Sequence, residues 1–317
     1  MKRMLIVLFF AVMELVSCRK QVADYKYPDF EPIPTLNAVF QRGEPIMVHL
    51  TLAQRLEAVH PMPCSNAEVL LYKDGLFEER LNHETNGLYT GSTLAEALHE
   101  YSCKVIVPGF DTLFATTQVP EQPVVRDVTI IENATVDSDG NACPAILFAF
   151  KTQPREQLYY QSTIDAVFVC DYYTKGVLCY SSCASGTMNN SINTDDPVLL
   201  NEGSDLLLFS NEIINDTIYT MKVNAFFNGH SHASYGCGDD VVADSIVRTG
   251  YVVVKMSGLS ESCYRYRKSQ EAYQAPDAYS NLFLGAVEPL NLYSNVENGR
   301  GVFAAIAPVI CDTVFIH

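Results

Sequence analysis

Apolar and polar residues alternate in short runs along much of this chain, and turn-forming pairs separate the runs. Residues 45–52 (Pro-Ile-Met-Val-His-Leu-Thr-Leu) alternate partly and are rich in strand formers. Residues 67–73 (Ala-Glu-Val-Leu-Leu-Tyr-Lys) follow and end at Asp74-Gly75, a strong hairpin pair. Asn86-Gly87 marks a second turn, ahead of Leu88 and Tyr89. Residues 101–107 alternate until Pro108-Gly109 breaks them, and 111–119 read as another strand. Short strands at this spacing predict a β-sandwich of immunoglobulin or prealbumin type over residues 35–120. Pro120-Glu121-Gln122-Pro123 marks its boundary.

The second part, 124–317, is longer. Its strand candidates are 124–131, 145–151, 159–170, 206–209, 217–227, 251–256 and 302–307. Residues 179–196 are rich in Ser, Asn, Thr, Gly and Asp and read as a long loop. One short helix is expected over 261–273. Ser260 would cap it, and Tyr266 and Gln270 would share a face with Cys263 and Arg267 beside them. No internal repeat is visible. The expected fold class is therefore all-β: an N-terminal sandwich, then a larger β-sandwich or barrel-like domain with one short helix.

Composition narrows the function. Of 317 residues, 48% are apolar, enough to bury a core, so the chain is not intrinsically disordered. The net charge of −16 leaves no basic surplus for neutralising phosphates, which excludes nucleic acid as the expected partner. Trp is absent, while Tyr and Phe number 18 and 16.

The N-terminus carries the sharpest signal. A basic Met1-Lys2-Arg3-Met4 precedes an unbroken apolar run, 5–13, closed by Glu14. That run is too short for a bilayer span, which takes about 20 residues. With Leu15-Val16-Ser17-Cys18 it reads as a signal peptide over 1–17, and the four residues resemble the bacterial lipobox. Cys18 would carry the lipid. Two or more acyl chains anchor firmly where one binds marginally. Cleavage would remove two positive charges and one negative charge, leaving −17. Residues 18–34, with three prolines and no periodicity, read as anchor and tether.

Nine cysteines would remain after Cys18, an odd number, and an exported chain permits disulfides. Cys179 and Cys183, with His230, His232 and Cys237, have ligand types that hold zinc. An oxidising compartment favours a disulfide there, and no metal or cofactor is expected. Asp195-Asp196 and Gly238-Asp239-Asp240 lack the calcium-loop pattern and read as solvated acidic turns. No nucleophile elbow, zincin helix, phosphate loop or dinucleotide fingerprint is present, so no catalytic residue is assigned.

Several stretches resemble, in order, an outer-membrane lipoprotein family of the Bacteroidota, domain of unknown function 4249. They are 37–51, 65–71, 87–89, 116–120, 208–214, the helix at 259–269 with Tyr264 and Tyr266, and 293–303. Genes of that family often lie beside those of TonB-dependent receptors, and it has no assigned catalytic residues. The resemblance implies a non-catalytic, lipid-anchored envelope protein accessory to a TonB-dependent outer-membrane nutrient importer. Its partners would be the outer-membrane bilayer, through acylated Cys18, and the receptor. Arg19 and Lys20 stand where surface-exported lipoproteins of that phylum carry acids, which leaves both leaflets open. The alternative is a surface adhesin or glycan-binding module, which the lack of Trp disfavours although Tyr can serve. Within the most specific stretch, Asn298-Gly299 suits φ > 0 and Gly301 allows close backbone approach. Ser294, Asn295, Glu297, Asn298, Gly299 and Gly301 then form either a structural turn into the last core strand or a loop facing a partner.

Overall fold

The computed structural model describes residues 31–54, 62–136, 140, 142–188, 194–204, 206–224, 230–234, 245–274 and 291–316. Cys18 and the expected signal segment lie outside them. The fold is all-β with helices as minor elements.

The first half holds β1 (Pro34–Gln41), β2 (Pro45–Leu52), β3 (Met62–Pro63), β4 (Glu68–Lys73), β5 (Leu76–His83), β6 (Leu88–Leu94), β7 (Glu100–Ile106) and β8 (Leu113–Gln118). The tight turns fall where the sequence placed them: Asp74-Gly75 and Asn86-Gly87 all have positive φ, as primed hairpin turns require. In β1 and β2 alternate residues are buried, so Leu36, Ala38 and Phe40 lie beside Ile46, Val48 and Leu50 on one face of the sheet and form one wall of the core. The opposite layer is β4, β7 and β8, contributing Val69, Leu71, Tyr101, Cys103, Val105, Leu113 and Ala115. Strand β5 turns the corner between the layers. Most of it pairs with β4, while Asn82 and His83 pair with β6. This is a sandwich.

The second half holds β9 (Val125–Val136), β10 (Ala142–Lys151), β11 (Tyr159–Thr174), β12 (Val177–Met188), α1 (Pro197–Glu202), β13 (Leu208–Ser210), β14 (Ile218–Asn224), β15 (His230–Ser234), β16 (Ser245–Leu259), α2 (Glu261–Gln274), β17 (Arg300–Ile306) and β18 (Ile310–Ile316). Strands β14, β10 and β9 form one sheet. It packs on β11 and β16 around a second core that includes Phe148, Phe150, Tyr160, Phe209, Val252 and Val254.

Three expectations are corrected. Most of the polar stretch expected as a loop over 179–196 is strand: β12 pairs with β11 almost end to end. Small Ser, Cys, Ala and Gly residues gave no strand signal, and the long partner ladder overrides that. A second helix, α1, follows it. Asp196 caps α1, accepting from Val198 N at 3.0 Å, with Pro197 opening the first turn. Asp196 is thus buried at 4% exposure rather than a solvated turn, and Asp195 pairs with Lys222 at 2.8 Å.

Strand β17 lies outside the half that contains it in sequence. It runs parallel to β1 from Thr35↔Arg300 to Gln41↔Ile306. Phe303 and Ala305 enter the first core, where the Phe303 ring sits 5.2 Å from that of Phe40. Val302 and Ala304 point the other way, toward Leu259 and Cys263. A core Phe truncated to Ala loses about 3–5 kcal/mol. Phe303→Ala is therefore expected to lower the unfolding free energy by that amount, measured by urea titration with tyrosine fluorescence. A variant that unfolds like the wild type would contradict the role given to β17.

Candidate functional site

The sandwich has one open seam, between the free edge of β8 and the side of β17 away from β1. Unpaired edge groups cost free energy when buried and invite strand pairing when exposed. The 294–299 segment closes this edge. Glu297 N donates to Phe114 O at 2.8 Å, and Phe114 N donates back at 3.4 Å. Asn298 Nδ2 donates to Thr112 O at 2.9 Å, with Asn298 held at φ 56°, a conformation Asn tolerates. Asn295 Nδ2 donates to Thr116 O at 3.0 Å and to Phe303 O at 2.8 Å, while its Oδ1 accepts from Phe303 N at 2.9 Å. One amide side chain therefore serves both edges. Val296 is buried beneath it.

Each residue singled out in the sequence has a place here. Asn295 and Asn298 spend their amides on the chain itself. Ser294 Oγ accepts from Val296 N at 3.3 Å. A Cβ on Gly299 would lie 2.6 Å from Leu113 Cδ2, and one on Gly301 (φ 108°) 2.0 Å from Leu36 O, so neither position has room for a side chain. The Glu297 side chain is exposed.

Helix α2 closes the seam from the other side. Ser260 is its cap: Ser260 Oγ accepts from Cys263 N at 3.2 Å and from Ala305 N at 3.0 Å. Ser262 Oγ donates to Phe303 O at 3.0 Å and lies 3.0 Å from Thr117 Oγ1 on β8. Ser260, Ser262 and Thr117 are all buried, so these hydroxyl bonds form where water does not compete.

The far part of α2 meets a buried carboxylate, Glu202, at the end of α1. Glu202, its side chain 6% exposed, accepts from Ser210 N at 2.6 Å and Ser210 Oγ at 2.9 Å through Oε1. Its Oε2 accepts from the Tyr264 hydroxyl and lies 3.2 Å from Lys268 Nζ, which also donates to Glu202 O at 2.6 Å. The Tyr159 ring stacks on Tyr264 at 4.6 Å. Burial pushes the Glu202 carboxyl up, but the bonds from Tyr264 and Ser210 and the Lys268 charge outweigh it, holding it below its ordinary 4.5. Burial, and then the bond to Glu202, push the Tyr264 hydroxyl up. Glu202 is thus a carboxylate with both oxygens engaged and little access, a latch rather than a general base. Tyr264 lies within the 259–269 stretch of family resemblance, but no local pattern signals Glu202, which lies sixty-two residues before its tyrosine.

The thiols fit the same reading. Burial pushes Cys103 up to about 12 and raises Cys263, so both are held as inert thiols. Cys179 is in a disulfide, which removes it from the possible zinc set. The side chains of Cys183, His230 and His232, and all of Cys237, lie outside the described residues. Among the described residues no three His, Cys, Asp or Glu side chains are grouped to hold a metal.

The fold and the seam define a class: an all-β protein with two cores, stitched by polar side chains at a sandwich edge. More narrowly, the chain belongs to the family described as Domain of unknown function (DUF4249), whose model matches residues 21–309. No curated protein matches it.

Two consequences are measurable. Asn295→Ala orphans the buried Phe303 amide, which at about 1–3 kcal/mol should lower thermal stability, and frees the exposed edge carbonyl of Thr116, which should promote self-association through β8. Calorimetry with light scattering reads both. The Glu202 contribution has a defined pH sign. With its folded pKa depressed, that contribution is complete above about pH 4.5 and is lost as pH falls through the folded value. Glu202→Gln should cost about 1–3 kcal/mol at neutral pH. It should also flatten the acid limb of the stability curve below about pH 4.5. An unchanged acid limb in urea titrations would contradict the latch.

Proposed function

We propose that this protein is a lipid-anchored, non-catalytic envelope protein, held in the outer membrane through acylated Cys18 and accessory to a TonB-dependent nutrient importer. The observation that carries the reading is the N-terminal sequence: basic start, short apolar run, then Leu15-Val16-Ser17-Cys18. The Cys179 disulfide supports an exported location, since such bonds persist in oxidising compartments. The engaged state of Glu202 and the buried thiols support a body without catalytic duty. Multiple acyl chains would fix Cys18 in the bilayer. Fifteen residues, 19–33, separate it from β1 and reach at most about 50 Å when fully extended, which would let the body meet a neighbouring barrel.

Mass spectrometry of the native N-terminal peptide should find a lipid-modified Cys18, and detergent phase partitioning should carry the protein with the membrane fraction. Cys18→Ala should send it to the aqueous phase. An unmodified thiol, or a wild-type protein that is wholly aqueous, would end the anchor reading. Affinity purification from solubilised membranes should recover a barrel receptor, and repeated recovery of the protein by itself would end the accessory reading.

A further inference from the structure

Strand β15 ends the large sheet, and among the described residues it pairs with β12 alone, from Ala184↔His230 to Tyr180↔Ser234. At that end β12 is irregular. Tyr180 stands opposite Tyr172 on β11 and Leu178 opposite Tyr173, so Cys179 between them is the extra residue of a β-bulge. A bulge re-aims the side chain it carries. Cys179 is buried, and its sulfur is in a disulfide.

The partner follows by elimination and reach. Cys64, Cys103, Cys143, Cys170, Cys263 and Cys311 are free thiols. Of the ten cysteines in the chain, Cys18, Cys183 and Cys237 are left for Cys179. Cys183 lies four residues further along the same extended strand, which puts the two Cα atoms about 13 Å apart. A disulfide spans roughly 4.4–6.8 Å between Cα atoms, so the backbone of β12 excludes that pair. The Cys18 sulfur is taken by the acyl anchor, a step that rests on the anchor reading. Cys237 lies outside the described residues, and the chain leaving β15 sets its reach. Ser234 stands opposite Tyr180, the neighbour of Cys179, and the antiparallel strand is heading toward Cys179 at that point. Cys237 comes three residues later, a span of at most about 10 Å when extended.

We infer that Cys179 and Cys237 form a disulfide that staples the edge strand β15 to β12. Each thiol gives up one proton and one electron as the S–S bond forms. The two electrons and two protons pass to the disulfide of a thiol–disulfide oxidoreductase in the exporting compartment, which is released as a dithiol. The staple answers a local weakness. Strand β15 is five residues long, His-Ser-His-Ala-Ser, with none of the strand-favouring residue types. Without β15, β12 presents an open edge that invites pairing with another chain. The bond closes a loop that contains α1, β13 and β14, so it also restricts the unfolded chain. It takes Cys237, as well as Cys179, out of the possible zinc set.

The test is peptide mapping of the full chain purified from the membrane fraction, with free thiols alkylated and digestion carried out without reductant. Trypsin cuts after Lys175, Lys222 and Arg248. Residues 176–222, with Cys179 and Cys183, should therefore be recovered joined to 223–248, with Cys237, and the two should part on reduction. The link should persist in Cys183→Ser and disappear in Cys179→Ser. Light scattering of the wild type should rise when the bond is reduced, as the β12 edge opens; scattering unchanged by reduction would remove the stapling role. An alkylated Cys237, a bond confined to 176–222, or a link that survives Cys179→Ser overturns the inference. A bond between Cys179 and Cys18 overturns it together with the anchor reading, whereas a lipid-modified Cys18 beside an alkylated Cys237 overturns the pairing alone.

Discussion

A sandwich built this way must be closed at the seam between β8 and β17, and its stability hangs on how the polar backbone groups there are satisfied. Regular pairing is not available: β17 already has β1 on one side and touches β16 at a single pair, Leu259↔Ile306. The edge of β8 would otherwise be open. The solution uses side chains as surrogate backbone. The Asn295 amide has a donor and an acceptor in the same relative arrangement as a peptide group, so it can pair with Phe303 as a strand would and still reach Thr116. Ser262 adds a second donor to Phe303 O. A buried carbonyl with two donors uses both lone pairs, which is the fullest satisfaction such a group can have.

The same geometry makes the molecule cooperative. Pairing Thr35 with Arg300 closes a loop of some 260 residues, whose length term alone costs on the order of 5 kcal/mol. Burial of Val302, Phe303, Ala304 and Ala305, all at 1% exposure or less, offsets that cost. The two halves are then coupled, because β17 contributes Phe303 and Ala305 to one core and Val302 and Ala304 to a cluster beneath α2. Helix α2 continues the coupling: its cap belongs to the seam, and its later turns hold Glu202 and Ser204 through Tyr264, Lys268 and Glu271. The first core lacks a wall until the end of the chain is in place, so folding is dominated by non-local contacts.

How legible this was in the sequence follows from the range of each interaction. The hairpins of the first half rest on Asp74-Gly75 and Asn86-Gly87, pairs whose backbone preference is local, and they were readable. The cap at Ser260 and the span of α2 were readable for the same reason. Strand β12 was not, because Cys-Tyr-Ser-Ser-Cys-Ala-Ser-Gly carries no strand propensity and becomes strand only against β11. Helix α1 was signalled by Asp196 and Pro197 at the end of that polar stretch, where Asp195-Asp196 has the look of an acidic turn as much as of a cap. Residues 294–301 were recognisable as a special loop from Asn298, Gly299 and Gly301, but the meaning of Asn295 lies in Thr116, 179 residues earlier. No periodicity encodes that.

Lys268 shows where this body keeps its strength. Lys268 sits against a buried carboxylate and a carbonyl, and its charge is spent on Glu202. A charge matched internally lowers the energy of one conformation, and the polar side chains of the seam act in the same way. Asn295, Asn298, Ser260 and Ser262 have their partners within the chain, so the loop that looked suited to a ligand has little polar capacity left to offer one.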